Sequence, residues 1–323
     1  MIERFTGQLP VWARRDHPLM RYELRRSLSG PLRHWSMLQR LGLLGMVGLL
    51  LVAGYLIATG GMTRVAGQNI VESANNIFYF PLIGMQLLLQ ITAFLLNANV
   101  VGDEMRRRSW DSLRATESGA ELALRTRWAA AFYRVRWLLA LILLLRVLLI
   151  LGMLWELMAF QGRYLDLLIN GITPEAPLAL AILLLALMLT AALLLPVTGM
   201  GLDASLGLLI SSLVQQRTFS TLTQVMLILV RIGITGGLML LASQFALGQL
   251  AISDAGAWTL MFAYGAGGDW GLSFLYLGRF GEIWATVPYG IFLGLGLILF
   301  ALLQSVLADR ILLLAVRRSQ QID

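Results

Sequence analysis

Three groups of polar side chains in this 323-residue sequence could do chemistry, and all three sit among apolar residues. The first is the stretch from Gly102 to Trp137, GDEMRRRSWDSLRATESGAELALRTRWAAAFYRVRW, whose eight arginines and five carboxylates separate two long apolar runs. Such a stretch can offer charge-assisted hydrogen bonds to a soluble partner, with Trp110, Leu113, Leu122 and Leu124 as apolar anchors for a groove. The second is Arg146, Asp203 and Arg231, each inside an apolar run, where a charge is costly and must face the protein interior. The third is Gln86, Gln90, Asn97 and Asn99, a polar stripe that either lines a pathway or hydrogen-bonds neighbouring helices.

The residue types that are missing bound the chemistry tightly. All 25 basic residues are arginine, and there is no lysine and no cysteine. A phosphate-binding Walker loop needs a lysine, and so does a Schiff base. Thiolate nucleophiles, disulfides and cysteine metal sites are equally impossible. The two histidines, His17 and His34, both precede the first apolar run, so a histidine-ligated metal or haem within the spans is excluded, as are histidine-dependent intramembrane proteases. No catalytic residue, metal ligand or resident cofactor is expected. A proton-coupled carrier stays open, with Asp203 the one deep carboxylate.

The elements that must position these residues are membrane spans. The chain is 58% hydrophobic and 13% charged, with a mean hydropathy of +0.75, which belongs to polytopic membrane proteins. Crossing ~30 Å of hydrocarbon takes about 20 apolar residues. Six stretches qualify, at about 41–59, 77–100, 138–160, 178–213, 222–247 and 287–308, and backbone satisfaction in lipid makes them helices. The expected fold is therefore an all-α polytopic membrane protein forming one transmembrane domain over residues 1–323.

Cytoplasmic segments are enriched in arginine. With the N-terminus inside, twenty arginines fall on cytoplasmic segments, three (Arg64, Arg163, Arg279) outside, and two within spans. Both termini are thus expected in the cytoplasm, in the plasma (cell inner) membrane. The first forty residues, arginine-rich and interrupted by Pro10, Pro18 and Pro31, do not read as a cleaved signal peptide.

Over residues 17–35, Met20, Leu24, Leu28 and Leu32 recur every four residues, with Arg21, Arg25, Arg26 and Arg33 on other faces. This reads as an amphipathic helix on the inner leaflet, or more plainly as a basic tail that holds topology. The long fourth span contains Pro196 and either kinks there or continues beyond the membrane. The segment 248–284 mixes Trp258, Phe262, Tyr264, Trp270, Phe274, Tyr276 and Trp284 with glycines. It reads as short helices in the outer interface or as an aromatic belt on a long loop. Asp203 and Arg231 flank the turn near Arg217 at similar separations, so they should pair, as a structural clamp or a gate. Arg146 should find Gln86 or Gln90, or snorkel.

The run from Glu104 to Thr116 resembles the coupling loop of type-2 ABC transporter permeases. There Glu104 stands for the leading acid, Arg107 for the basic residue, Ser109 for the threonine, Trp110 for the apolar residue and Asp111 for the second acid. Leu113 and Thr116 also fit, and Glu121, Leu122 and Arg127 fit the stretch that ends in Gly-Lys. Arg108, Glu117 and Thr126 depart from the pattern, replacing glycine, proline and glycine. The stretch from His17 to Arg26 is similar to the Asn-Pro-x-x-x-Arg-Glu-Leu-Arg opening of the same family. The resemblance implies a permease subunit, an exporter in the usual direction for the group, coupled through 102–137 to a separate ATPase subunit that holds ATP and Mg. It also implies a second permease subunit, identical or related, in a lipid bilayer, with no nucleic acid. The competing expectation is a non-transport scaffold subunit whose charged loop docks a soluble protein.

Overall fold

The computed structural model describes residues 9–26, 48, 70–106, 119–159, 177–214, 216–287 and 289–321. The expected first span lies outside these apart from Gly48, as do 27–35 of the amino-terminal helix and Arg107, Ser109, Trp110, Asp111, Leu113 and Thr116. The described residues are helical, with no strand among them. The helices are α1 (Pro18–Arg26), α2 (Ile70–Asn97), α3 (Val100–Arg106), α4 (Gly119–Ala159), α5 (Leu178–Leu213), α6 (Arg217–Ala246), α7 (Asp254–Ala263), α8 (Leu277–Thr286) and α9 (Leu293–Gln320).

Five helical stretches are long and apolar enough to cross a membrane: 77–102, 119–155, 179–213, 218–246 and 290–320. The chain is a multi-pass membrane protein. α4 has 41 residues and starts at Gly119. At ~1.5 Å per residue it is about 60 Å long, twice the hydrocarbon thickness. The second half of the charged stretch is therefore the stem of a span rather than a loop, with Ala120 and Leu124 packed into one buried cluster and Ala129 and Ala130 into another. α5 is likewise one helix of 36 residues that runs on through Pro196.

α5 is the hub of the bundle. Its most extensive contacts are with α9, followed by α2 and α4. Two glycines permit this closeness. A Cβ at Gly294 of α9 would collide with the Met188 side chain and backbone of α5, and one at Gly207 of α5 would strike the Phe94 carbonyl oxygen of α2. α6 differs from the other four. Little of it is buried, and Leu222, Met226, Leu229, Val230 and Leu240 face outward.

Between α6 and α9 the chain folds into short pieces: α7, a π turn at Tyr264–Gly268, a 3-10 turn at Ser273–Leu275, and α8. Short helices were one of the two expectations for this segment. Its aromatic side chains do something different from an interfacial belt, since Tyr264, Trp270, Phe274, Tyr276 and Trp284 are buried against the bundle. The apolar face of α1 is likewise occupied by protein. Met20 is fully buried in a cluster with Ala129 and Ala130 of α4, so that residue is not free to enter lipid.

The glycine contacts lead to a direct comparison. Gly207→Ala and Gly294→Ala should each destabilise by about 1–3 kcal/mol through overpacking. Gly237→Ala on α6 meets nothing within 4 Å and should be neutral or slightly stabilising through helix propensity. Thermal melts of the purified protein in one detergent would order the three variants.

Candidate functional site

Charged and amide side chains are stacked in three tiers along the bundle. The first lies at the arginine-rich end. Arg127, on the stem of α4, donates from Nε to Glu23 Oε1 of α1 at 2.9 Å and from Nη2 to Glu104 Oε1 of α3 at 2.8 Å. The guanidinium is 4% exposed and Glu104 is 3% exposed. Arg134 donates to the Glu23 carbonyl oxygen at 3.0 Å, and the Tyr133 hydroxyl to that of Ala13 at 3.0 Å. One arginine thus joins three helices. A buried charge is tolerated only with such pairing, and removing one partner strands the others.

This geometry changes the reading of Glu104. It is held inside the protein, so it fixes the start of the segment 107–118 rather than forming part of a docking surface. Glu121 sits on the stem surface and pairs with Arg125 at 2.8 Å, one helical turn on.

The second tier joins α2, α5 and α6. Arg231 of α6 donates through Nη2 to Asp203 Oδ2 at 3.1 Å and through Nε to Gln90 Oε1 of α2 at 3.1 Å, with a second, shorter contact from Nη2 to the same oxygen. The pairing expected from equal depth on either side of Arg217 is present, and Gln90 joins it. Gly199 makes room for Gln90, since a Cβ there would lie 2.8 Å from Gln90 Nε2. Further along the same seam, Asn99 Oδ1 accepts from Ser220 Oγ at 2.9 Å and from Gln224 Nε2 at 2.8 Å. Asn97 donates to the Ala204 carbonyl at 3.3 Å. Three of the four residues of the polar stripe, Gln90, Asn97 and Asn99, therefore make interhelical hydrogen bonds. Gln86 is fully buried and makes no hydrogen bond among the described residues.

The third tier was not anticipated. Arg146 does not meet Gln86 or Gln90 and does not snorkel; it is fully buried. Its Nη1 donates to the Ala192 carbonyl of α5 at 2.5 Å and to that of Trp270 at 2.6 Å, while Nη2 reaches the Asp269 carbonyl at 3.5 Å. The reason lies in the sequence of α5. Pro196 has no N–H, so the carbonyl four residues earlier, that of Ala192, has no helical donor. Arg146 supplies one.

The turn it grips is shaped to fit. Trp270 (φ 53°) and Gly271 (φ 83°) adopt left-handed backbone, and a Cβ at Gly271 would lie 3.2 Å from Ala192 Cα. Both the φ and the close approach require glycine there. The Asp269 carboxylate accepts from the N–H groups of Gly271 at 3.0 Å and Ser273 at 2.6 Å, and from the Tyr79 hydroxyl at 3.1 Å; Tyr79 also bonds the Tyr264 hydroxyl. Burial pushes the Asp269 carboxyl above the ordinary carboxylate range, and the hydrogen bonds from Ser273 and the charge of Arg146 pull it part of the way back.

No family model, curated protein or solved structure matches this chain. Among the described residues no group of three or more metal-ligating side chains occurs. All three tiers are arginines that tie separate helices together, and each spans a boundary between elements that could move relative to one another. The signal for the third tier was available in the proline. The signal for the first was not, because Glu23 is distant in sequence from Glu104 and Arg127.

The ties differ in what their loss exposes. A double-mutant cycle on Asp203→Leu and Arg231→Leu should return a coupling of about 1–3 kcal/mol; additive losses would show that the pair contributes no coupling. Arg146→Met should lower the melting temperature more than Arg231→Leu, because it strands backbone carbonyls without donors. It should also expose residues 254–286 to limited proteolysis, which Arg231→Leu should not.

Proposed function

We propose that this chain is the membrane-spanning subunit of an ATP-driven transporter, similar to type-2 ABC permeases, with its ATPase on a separate protein. The observation that supports it best is the lock at Arg127. The segment 107–118 is entered through α3 and left through the stem of α4, and Arg127 fastens those two brackets to each other and to α1. A force applied to the segment is passed directly into α4, which continues as one helix to Ala159. Buried, doubly paired guanidinium contacts suit such a lever because they resist small rotations.

In this reading the arginine-rich end faces the cytoplasm and Asp111 and Trp110 meet the ATPase. ATP and Mg stay on that partner, a second permease subunit completes the pathway, and transport runs outward. Arg231, shared between Asp203 and Gln90, is the contact placed to break and reform as the helices move. A scaffold subunit that docks a soluble protein without ATP would use the same segment but would have no need of a rigid link from it to a span.

Co-expression with a Walker-loop ATPase from the same genome tests the proposal. The two proteins should co-purify, and the chain should stimulate ATP hydrolysis in proteoliposomes. Asp111→Ala should weaken co-purification. Arg127→Met should keep co-purification and lose most of the stimulation, and Glu104→Gln, which preserves a hydrogen bond, should lose less. Full stimulation in Arg127→Met would remove the lever, and capture of a soluble partner that binds no nucleotide would establish the scaffold instead.

A further inference from the structure

Near the arginine-rich end, a cleft of about 400 Å³ opens between α4, α5 and α9. That volume lies within the ~300–1,000 Å³ range of small-molecule sites. Its walls are mostly apolar, with Phe132 and Trp128 of α4, Val197 of α5 and Leu312 of α9, and Trp12 joins them from the amino-terminal segment. Two charged side chains, Arg125 of α4 and Asp309 of α9, line the same cleft. Apolar walls that carry one cation and one anion suit an amphiphile.

The two charges narrow the ligand further. Arg125 is bound by Glu121 through Nη2, yet its Nε is buried and has no hydrogen-bond partner among the described residues. Asp309, one turn along α9 from Ser305, is exposed and forms no ion pair among the described residues. One unfilled donor and one unfilled anionic acceptor therefore share a single opening. Trp12 and Trp128 add aromatic faces, which favour an ammonium group.

We infer that this cleft binds the head group and first chain methylenes of one zwitterionic phospholipid from the surrounding leaflet. The phosphate takes the Arg125 side and the ammonium the Asp309 side. The volume suits a head group with a short length of chain, the remainder staying in the bilayer. A purely anionic lipid would leave Asp309 facing like charge, and a purely cationic amphiphile would leave Arg125 Nε unfilled.

The test uses the full chain alone in a neutral maltoside detergent, so its failure is separable from failure of the transport reading, which needs the ATPase. Dodecylphosphocholine, dodecyl phosphate and dodecyltrimethylammonium are titrated below their micelle concentrations while tryptophan fluorescence is read, with Trp12→Phe identifying the signal from the cleft. The zwitterion should bind about tenfold more tightly than either singly charged chain, the scale of one charge-assisted hydrogen bond. Asp309→Asn should weaken dodecylphosphocholine about tenfold without weakening dodecyl phosphate, whose like-charge neighbour it removes, and Arg125→Gln should weaken dodecylphosphocholine similarly without weakening dodecyltrimethylammonium. If one variant does not fold, the other still gives its half of the pattern. Equal affinity for the three chains, or a uniform loss across all three in a folded variant, would overturn the assignment.

Discussion

A missing hydrogen on Pro196 organises one whole end of this protein. In a membrane an unsatisfied carbonyl costs several kcal/mol, and a proline within a long apolar helix creates one at the residue four positions earlier. Here that carbonyl, on Ala192, is met by Arg146 of the neighbouring helix, and the same guanidinium continues to the carbonyls of Trp270 and Asp269. The cost of burying an arginine and the cost of breaking a helix ladder are offset against each other. The left-handed backbone at Trp270 and Gly271 follows from the need to bring that turn against Ala192.

The other two tiers obey the same rule with different acceptors. Arg127 holds two carboxylates and Arg231 a carboxylate and an amide. Lipid offers no competing solvent and little hydrophobic drive between helices, so helix pairs are set by small residues and by these polar ties. The α5–α9 and α2–α5 seams use glycine; the attachments of α1, α6 and the short helices use arginine. Arginine suits the task better than lysine because its planar fork can reach two acceptors at once.

Length and hydropathy were enough to expose the helical spans, and equal sequence distance from Arg217 was enough to pair Asp203 with Arg231. Those inferences work because a membrane fixes depth, and depth converts directly into position along a helix. Azimuth is different. Gln90 was visible as a polar residue, but whether it faced Arg146 or Arg231 depended on how α2 turns against α5, which the stripe alone does not specify. Glu104 looked like a surface residue because its neighbours are charged; its burial depends on Glu23, a contact between distant segments. The aromatic residues from Trp258 to Trp284 fitted an interfacial belt by composition, and only the grip of Arg146 on the turn at Trp270 explains why most are inside.

The seam that holds α6 is narrow. Its ties fall at Ser220, Gln224, Arg231 and Thr235, the last donating to the Gly267 carbonyl at 3.4 Å. These positions recur in steps of four, seven and four, a single line along one side of a helix. A helix fastened along one line has a quantised register. Sliding or turning it by a single residue takes every tie out of alignment together and leaves each facing hydrocarbon, whereas a displacement by two turns carries Gln224 toward the place of Arg231. The polar ties of α6 thus come into or out of register together rather than one by one.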